Sequence, residues 1–228
     1  MSEAPIVQQA RAVLQMIQEQ EKQCHRPPGS VTLVAVSKTR SVADIQAAFE
    51  GGVVNFGESY VQEASIKQNS LKNYPIIWHF IGKIQSNKTD YLAKNFSWVQ
   101  SVDRISIANQ LNKSRSSCQS ALNICIQVNV ENEPTKSGVH ISQLLTLTEQ
   151  ILPLKYLKLR GLMCIPKPHQ EDPQQQMIFH QLKHCLQQLN HDLNLNMDTL
   201  SMGMSADICA AICAGSSMVR VGKRIFAI

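Results

Sequence analysis

The chain has 228 residues, of which 43% are hydrophobic and 17% are charged, so it can fill the core of one large domain. Its formal net charge is +5, but the basic residues are scattered and only 5% of residues are aromatic, which argues against a nucleic-acid-binding surface. No stretch approaches the roughly 18 apolar residues of a membrane span, and the N-terminal segment MSEAPIVQQARAVLQM lacks the apolar core of a signal peptide. We therefore expect a soluble, cytoplasmic protein.

The N-terminal segment predicts a helix, and alternating strands and helices follow it. Apolar residues recur every three or four positions over residues 4–23, as in an amphipathic helix, and Pro27, Pro28 and Gly29 then end the pattern. Strand-like segments follow at Val31–Val36, Val53–Phe56, Ile76–Ile81, Trp98–Val102, Leu122–Val130, Leu157–Ile165, Thr199–Met204 and Met218–Val221. Helix-like segments between them are Val42–Glu50, Tyr60–Gln68, Gln85–Ala93, Ile105–Lys113, Ile141–Leu152, Gln174–Asn190 and Ala206–Ala214.

This alternation favours an α/β fold of the (β/α)8 TIM-barrel type, with an extra N-terminal helix. A doubly wound open sheet is the alternative, but it needs fewer strands than the pattern contains. No linker, low-complexity segment or solenoid repeat interrupts residues 1–228, so a single domain is expected. The chain stops soon after the eighth strand, which leaves no length for a second domain.

Seven cysteines, an odd number without framework spacing, favour a reducing compartment. Cys209 and Cys213 have the spacing of neighbours on one helix face. Metal binding or a disulfide is possible there, but no second cysteine pair completes a zinc site. We expect these two residues to be small, buried side chains of a helix.

The segment VTLVAVSKTR places a lysine where a buried strand ends. Residues Val31 to Val36 are apolar or β-branched, and Ser37, Lys38, Thr39 and Arg40 follow directly. Chemistry in parallel α/β folds sits at the carboxyl ends of strands. A lysine desolvated on the apolar rim of a barrel has a lowered pKa, and its amine becomes a nucleophile toward aldehydes. A solvated lysine just beyond a strand is the alternative interpretation.

Two later loops carry groups suited to phosphate. Ser201, Gly203 and Ser205 lie in and after the seventh strand, within TLSMGMSADI, and Gly222 lies in RVGKR after the eighth. Backbone N–H groups and serine hydroxyls donate there, and barrel enzymes often hold phosphate at these two loops. Ser205 could instead only cap the following helix, with Asp207 in its first turn.

A strand-end lysine and a phosphate cup together describe a site for an aldehyde phosphate such as pyridoxal 5′-phosphate (PLP). The pyridine nitrogen of PLP needs a partner, and Arg220 is better placed than any aspartate. A fixed cation cannot accept a ring proton, so the ring stays a weaker electron sink. His79 is compatible with a ligand, a stacking wall or a satisfied core histidine, and the Glu131–Lys136 loop is expected to be solvated.

These stretches resemble the pyridoxal-phosphate homeostasis protein family, whose barrel is of the alanine racemase type. The matching segments are VAVSKTR, NFGESYVQE, WHFIGKIQSNK, SVDR, IQVNVENEPTKSG, RGLMCIP and SMGMSADICAAICAGSSMVRVG, and together with the final IF they span Val34 to Phe226. The resemblance implies a PLP fold-type III barrel without the C-terminal β-domain of the racemases. It also implies a role in vitamin B6 and amino-acid homeostasis without established catalytic turnover.

The resemblance implies roles for individual residues as well. Lys38 matches the lysine that forms the Schiff base, Asn55 lines the cofactor, and Arg220 faces the pyridine nitrogen. Ser201, Ser205 and Gly222 match the phosphate cup, and the predicted cofactor-binding set also includes His79, Met204 and Lys223. Lys223 departs from the family pattern, because relatives commonly carry threonine or another small polar residue there, so a hydroxyl contact to phosphate is lost. The short C-terminus at Ile228 also departs from the pattern.

Two alternatives to a PLP carrier come from other functional classes. A two-base racemase needs an acid–base group on each face of the cofactor, and in the resembled racemases the second is a tyrosine from a separate domain. The tyrosines of this chain lie in helix or loop contexts: Tyr60, Tyr74, Tyr91 and Tyr156. A nucleic-acid or protein adaptor would need clustered basic residues. We therefore predict a monomeric PLP carrier, with PLP-dependent apo-enzymes as candidate recipients.

Overall fold

Eight parallel strands close into a barrel in the computed structural model, which describes residues 4–167 and 172–227. Each strand pairs with the next, and β8 returns to pair with β1. The strands are β1 Thr32–Val36, β2 Asn55–Glu58, β3 Ile77–Phe80, β4 Trp98–Val102, β5 Leu122–Gln127, β6 Leu157–Met163, β7 Thr199–Ser201 and β8 Met218–Val221. The predicted (β/α)8 barrel is confirmed, and the open sheet is excluded because β1 and β8 are hydrogen-bonded neighbours.

Helices surround the barrel and connect its strands. They are α1 Pro5–Gln23, α2 Val42–Glu50, α3 Val61–Ser70, α4 Thr89–Asn95, α5 Ile105–Arg115, α6 Leu144–Ile151, α7 Asp172–Asp192, α8 Ile208–Ala214 and α9 Lys223–Phe226. The fourth and sixth are preceded by 3-10 turns, Ser86–Lys88 and Ile141–Gln143, within segments predicted as continuous helices. The last helix, α9, was absent from the prediction because four residues are too few to show a periodic pattern.

The boundaries of β2 and β7 differ from the prediction for identifiable reasons, and β5 and β6 also end earlier than predicted, at Gln127 and Met163. β2 runs two residues later than predicted, because its pairing continues through Gly57 opposite Val36 and Glu58 opposite Phe80. β7 ends at Ser201 rather than Met204, since Gly203 adopts a φ of 95° that an extended strand does not allow. The shorter β7 places residues 202–207 in the loop at the carboxyl end of the barrel.

The extra N-terminal helix is confirmed, and it packs along the outside of the barrel against α2, α8 and α9. Its apolar face, which includes Ile6, Ala10 and Val13, is buried. A Cβ at Gly51 would lie 2.6 Å from the Cβ of Ala10, so glycine permits this close packing. Near the end of α1, the buried carboxylate of Glu21 accepts the N–H of Val31 at 2.7 Å and so holds the entry to β1.

Packing of α1 beside α8 also brings two distant cysteines together. Cys24 and Cys213 form a disulfide across 189 residues of sequence, with 5.1 Å between their Cα atoms. The prediction of small buried cysteines on one helix face is therefore wrong, since Cys209 and Cys213 are both exposed and Cys213 is bonded. Spacing within one helix could not reveal a partner that only tertiary packing supplies. The described residues contain no cluster of potential metal ligands.

Candidate functional site

Three polar loops meet at the carboxyl end of the barrel. β1 lies between β2 and β8, and β8 also pairs with β7, so the ends of β7, β8 and β1 are consecutive around the rim. Lys38 follows β1, residues 202–207 follow β7, and Gly222 and Lys223 follow β8. Barrel closure thus brings the predicted lysine to the same rim as the predicted phosphate loops.

Lys38 is exposed, two residues beyond the end of β1. Of the two interpretations of Lys38, the exposure agrees with a solvated lysine just beyond a strand and not with an amine desolvated by an apolar rim. The residues on either side of it are held by hydrogen bonds: the Ser37 amide donates to the carbonyl oxygen of Gly57 at 3.0 Å, and the Thr39 amide donates to Glu63 Oε1 at 2.5 Å. The backbone around Lys38 is fixed while its amine stays accessible.

Arg220 lies inside the barrel and is only 3% exposed. Its guanidinium donates to Ser201 Oγ at 2.5 Å and to the carbonyl oxygen of Cys164 at 2.7 Å. Burial lowers the pKa of Arg220, yet an arginine starts so far above neutrality that it keeps its charge. Both hydrogen-bond partners are neutral, and the carboxylate of Asp207 acts on this buried cation through charge, without a hydrogen bond between them. Ser201, predicted for the phosphate cup, instead holds Arg220.

The hydrogen bonds continue from Ser201 across the barrel interior. Ser201 Oγ donates to Gln100 Oε1 at 2.6 Å, and Gln100 Nε2 donates to His79 Nδ1 at 2.9 Å. His79 Nε2 lies 3.0 Å from Asn55 Oδ1. Since Nδ1 accepts, the proton is assigned to Nε2, which donates to Asn55. Every donor therefore points the same way, from Arg220 through to Asn55.

His79 acts in this chain of hydrogen bonds as a neutral group. It is completely buried, and its ring stacks on Trp98 with 5.5 Å between ring centroids. Burial lowers the pKa of His79 to about 3. Because the side-chain oxygen of Asn55 accepts from His79, the amide N–H2 group of Asn55 is left as its free donor. His79 thus orients Asn55 from within the barrel wall.

Gln100 is the member of this chain that sequence analysis missed. It is fully buried within β4 and connects the β2–β3 side of the barrel with β7 and β8. A glutamine in the middle of the strand-like segment WVQSV was the available signal, because a buried amide needs hydrogen-bond partners. Its partner Ser201 is 101 positions away in the chain, so their contact arises only from barrel closure.

Glycines shape the loops after β7 and β8. Gly203 has a φ of 95°, and a Cβ there would lie 2.4 Å from the Cβ of Ala211, so only glycine fits. Its carbonyl oxygen accepts the backbone N–H of Arg220 at 3.0 Å. A Cβ at Gly222 would lie 3.3 Å from the carbonyl oxygen of Val36. The hydrogen bond joins the loop after β7 to β8, and Gly222 lies close to the end of β1.

Asp207 changes the roles expected in the loop after β7. Its Oδ1 accepts the backbone N–H of Met204 at 2.5 Å, so this N–H is already engaged. Burial raises the pKa of Asp207. The helix begins at Ile208 rather than Ala206, and no side chain caps it, so the interpretation of Ser205 as a helix cap is wrong.

The remaining phosphate candidates lie on the solvent side of the same rim. The Ser205 hydroxyl forms no hydrogen bond with another described residue, and Lys223, the first residue of α9, is exposed. The carbonyl oxygen of Ser205 accepts from Arg224 Nε at 2.6 Å. This contact joins the loop after β7 to α9, next to Lys223.

The loop after β5 is more ordered than expected. Glu133 is 8% exposed, and its carboxylate forms ion pairs with Lys136 at 2.6 Å and Lys167 at 2.8 Å. The Asn129 side chain accepts the backbone N–H of Glu133 and donates to the carbonyl oxygen of Glu133. The prediction of a merely solvated loop is wrong for Glu133. The amine of Lys136 is occupied by its ion pair with Glu133.

The barrel and its rim define a protein of the alanine racemase barrel class, and the family profile described as "Alanine racemase, N-terminal domain" matches residues 11–228. Pyridoxal phosphate homeostasis proteins of Pasteurella multocida and Pseudomonas aeruginosa are 44% and 45% identical to it, over 97% of this chain and 96% and 94% of theirs. The chain belongs to this pyridoxal phosphate homeostasis protein family, as predicted. It is also similar to PipY of Synechococcus elongatus, whose structure has PLP bound, with 33% identity and a TM-score of 0.83 over 92% of this chain and 100% of that one.

Proposed function

We propose that this protein binds PLP at the carboxyl end of its barrel, covalently through Lys38, and serves in PLP homeostasis rather than in catalytic turnover. The observation that carries the proposal is the shared rim: an exposed lysine, a buried arginine and two glycine-shaped loops meet where β7, β8 and β1 end. PLP supplies an aldehyde to which a lysine amine can bond. The naming of the relatives and the PLP-bound structure of PipY support this assignment.

The residues present fit such a cofactor. The Ser205 hydroxyl and the Lys223 ammonium lie on the two loops that Gly203 and Gly222 shape, and both groups are suited to a phosphate. Met204 is assigned to the site through its position in this loop, because Asp207 already occupies its N–H. Asn55 offers an amide donor to an acceptor of the cofactor.

Arg220 favours a carrier. Its guanidinium is held toward the barrel interior by neutral acceptors and cannot take a proton from a ring nitrogen. A pyridine ring next to it stays unprotonated and withdraws electrons weakly, which disfavours carbanion chemistry. The exposure of Lys38 suits exchange of cofactor with solution or with PLP-dependent apo-enzymes. A cytoplasmic monomer remains our expectation; no helix in the described ranges is long and apolar enough to cross a bilayer.

One observation favours the alternative of a racemase-like enzyme. Tyr60 lies in the loop that follows β2, as expected from the sequence, but it is only two residues beyond the strand and is 59% exposed. The hydroxyls of Tyr74 and Tyr91 are engaged with Gln46 and Gln68. Exchange of the Cα proton of alanine in D2O, followed by NMR, tests this alternative. Exchange that Tyr60→Phe abolishes would favour the enzyme, and its absence favours the carrier.

The covalent assignment is tested by absorbance spectroscopy before and after borohydride reduction, followed by peptide mass mapping. We expect a yellow protein whose reduced cofactor maps to Lys38. The Lys38→Ala variant is expected to lose the covalent cofactor completely while keeping its fold, because the Lys38 side chain is exposed. Lys136→Ala, the matched control, keeps it. A cofactor that maps to Lys136, or a colourless protein that takes up no added PLP, contradicts the proposal.

A further inference from the structure

A buried cluster of charges lies against the segment that carries Lys38. Lys67, on α3, is 4% exposed, and its Nζ lies 2.8 Å from Glu58 Oε1 and 2.6 Å from Glu63 Oε1. Glu58, the last residue of β2, is fully buried. Buried charges are costly unless they are paired and hydrogen-bonded. We call Glu58, Glu63 and Lys67 the charge cluster.

The charge cluster holds the residues on both sides of Lys38. Lys67 Nζ donates to the carbonyl oxygen of Ser37 at 2.6 Å, and Ser37 Oγ donates to Glu58 Oε1 at 2.6 Å. On the other side, the Thr39 amide donates to Glu63 Oε1 at 2.5 Å. The two peptide units that flank Lys38 are therefore bonded to Lys67 and Glu63 of α3, and Glu58 of β2 holds Lys67 in place.

The backbone after Lys38 needs such restraint. Thr39 has a φ of 64°, in the left-handed region that a β-branched residue rarely adopts. Conformations of this kind persist only when the surrounding structure enforces them, and they concentrate at functional sites. The hydrogen bond from Thr39 to Glu63 fixes this conformation. Without it, the turn can relax and carry Lys38 away from the rim position.

We infer that Glu58, Glu63 and Lys67 are positioning residues that hold the strained turn at Ser37–Thr39 and thereby direct the Lys38 amine toward its cofactor. The inference rests on the proposed function, because Lys38 is the cofactor lysine there. If the charge cluster served only to stabilise the fold, contacts that join β2, α3 and β1 would be sufficient. This cluster instead places its hydrogen bonds on the two backbone units next to the reactive residue.

Glu63 offers the cleanest test, because its side chain is 26% exposed and the variants are expected to fold. Glu63→Leu removes the acceptor for Thr39 and one partner of Lys67, whereas Glu63→Gln keeps a side-chain oxygen in the same place. The matched control is Asp90→Leu, which breaks the exposed Asp90–Lys94 pair at the same i,i+4 spacing on α4. The measurements are the PLP dissociation constant, from spectral titration, and hydrogen exchange of the 36–41 peptide in the protein without PLP.

We expect Glu63→Leu to raise the PLP dissociation constant about tenfold and to speed exchange of the 36–41 peptide about tenfold. Glu63→Gln should stay within about threefold of the wild type in both measurements, and Asp90→Leu should match the wild type. A Glu63→Leu variant that binds PLP and exchanges like the wild type overturns the inference. So does one that loses thermal stability but keeps its PLP affinity.

Failure of the proposed function is distinguishable from failure of this inference. If the wild type itself forms no borohydride-reducible adduct at Lys38, the PLP assignment fails. Hydrogen exchange in the absence of PLP still decides whether Glu63 restrains the turn. Unchanged exchange in Glu63→Leu then overturns the restraint as well.

Discussion

The two cationic side chains of the site, Lys38 and Arg220, are placed by different means. Lys38 is exposed, and ionised groups of Glu63 and Lys67 hold only the backbone beside it. Arg220 is buried, and its guanidinium itself is held by the neutral oxygens of Ser201 and Cys164. One arrangement fixes the chain and leaves the amine free, and the other fixes the charged group directly.

The difference follows from what each group is proposed to do. A lysine that forms and breaks a bond needs a free amine, so charged partners on that amine would compete with its reaction. An arginine that acts through its positive charge needs fixed orientation, and neutral partners hold it without cancelling that charge. Charged side chains therefore bond the backbone next to Lys38, whereas uncharged hydrogen-bonding groups surround Arg220 inside the barrel.

The largest effect that sharpens this comparison comes from the disulfide, because it restrains the loop after β7 and not the segment that carries Lys38. Cys213 lies on α8, directly after the loop of β7. Reduction, or Cys24→Ser, should lower the free energy of unfolding by about 2–4 kcal/mol, because the cross-link restricts the unfolded chain. We expect hydrogen exchange to rise in residues 202–214 and not in residues 36–41.

The control for the disulfide is Cys209→Ser, on the exposed free cysteine of the same helix. Thiol titration of the unfolded, unreduced protein should count five thiols among the seven cysteines. Seven titratable thiols would contradict the pairing of Cys24 with Cys213.

The next effect comes from Arg220→Ala, which removes the buried charge. Hydrogen bonds to a charged group contribute about 1.5–3 kcal/mol each, so PLP affinity should fall about 10- to 100-fold. The loss should be accompanied by a lower melting temperature, because the carbonyl oxygen of Cys164 loses its donor. Spectral titration with PLP and thermal unfolding measure both effects.

Arg11→Ala, on the exposed face of α1, is the control for Arg220→Ala and should bind PLP normally. If PLP affinity is unchanged in Arg220→Ala, then Arg220 does not contribute to PLP binding, and its comparison with Lys38 as a residue of the site is wrong. Ser205→Ala should weaken PLP binding less, since a hydroxyl contributes one neutral hydrogen bond.

The third effect is a pH dependence that comes from the neutral side chains inside the barrel, and near pH 6 it is the smallest of the three. The pKa of His79 is lowered to about 3 in the folded protein, against about 6.5 in the unfolded chain. Between these values the unfolded chain binds a proton that the folded protein does not. The free energy of unfolding should therefore fall as the pH is lowered through this window, by up to about 1.4 kcal/mol per pH unit.

Denaturant unfolding of the wild type and of His79→Gln between pH 7 and pH 4 measures this dependence as a difference of slopes. The slope attributable to His79 should vanish in His79→Gln and persist in His180→Gln, which changes an exposed histidine. Equal slopes in wild type and His79→Gln would mean that His79 is protonated within the folded barrel.

Much of the fold could be predicted because its elements are marked locally. Apolar strand runs separated by amphipathic helices are short-range patterns, and closure of eight such strands follows from their number and order. The rim position of Lys38 was predictable for the same reason, since the apolar run of β1 ends at Val36. The strand pattern left a solvated and a desolvated Lys38 as alternatives, and the structure, in which Lys38 is exposed, agrees with the first, because exposure depends on what the neighbouring loops leave uncovered.

The sequence by itself determined the order of strands and helices, the family, and the residues that lie at strand ends. Only the tertiary structure decided which of these residues touch. Gln100 meets Ser201, Glu58 meets Lys67, and Cys24 meets Cys213 because barrel closure and helix packing bring separate elements together. Hydrophobic periodicity records which face of an element is buried, but it carries no information on which other element covers that face.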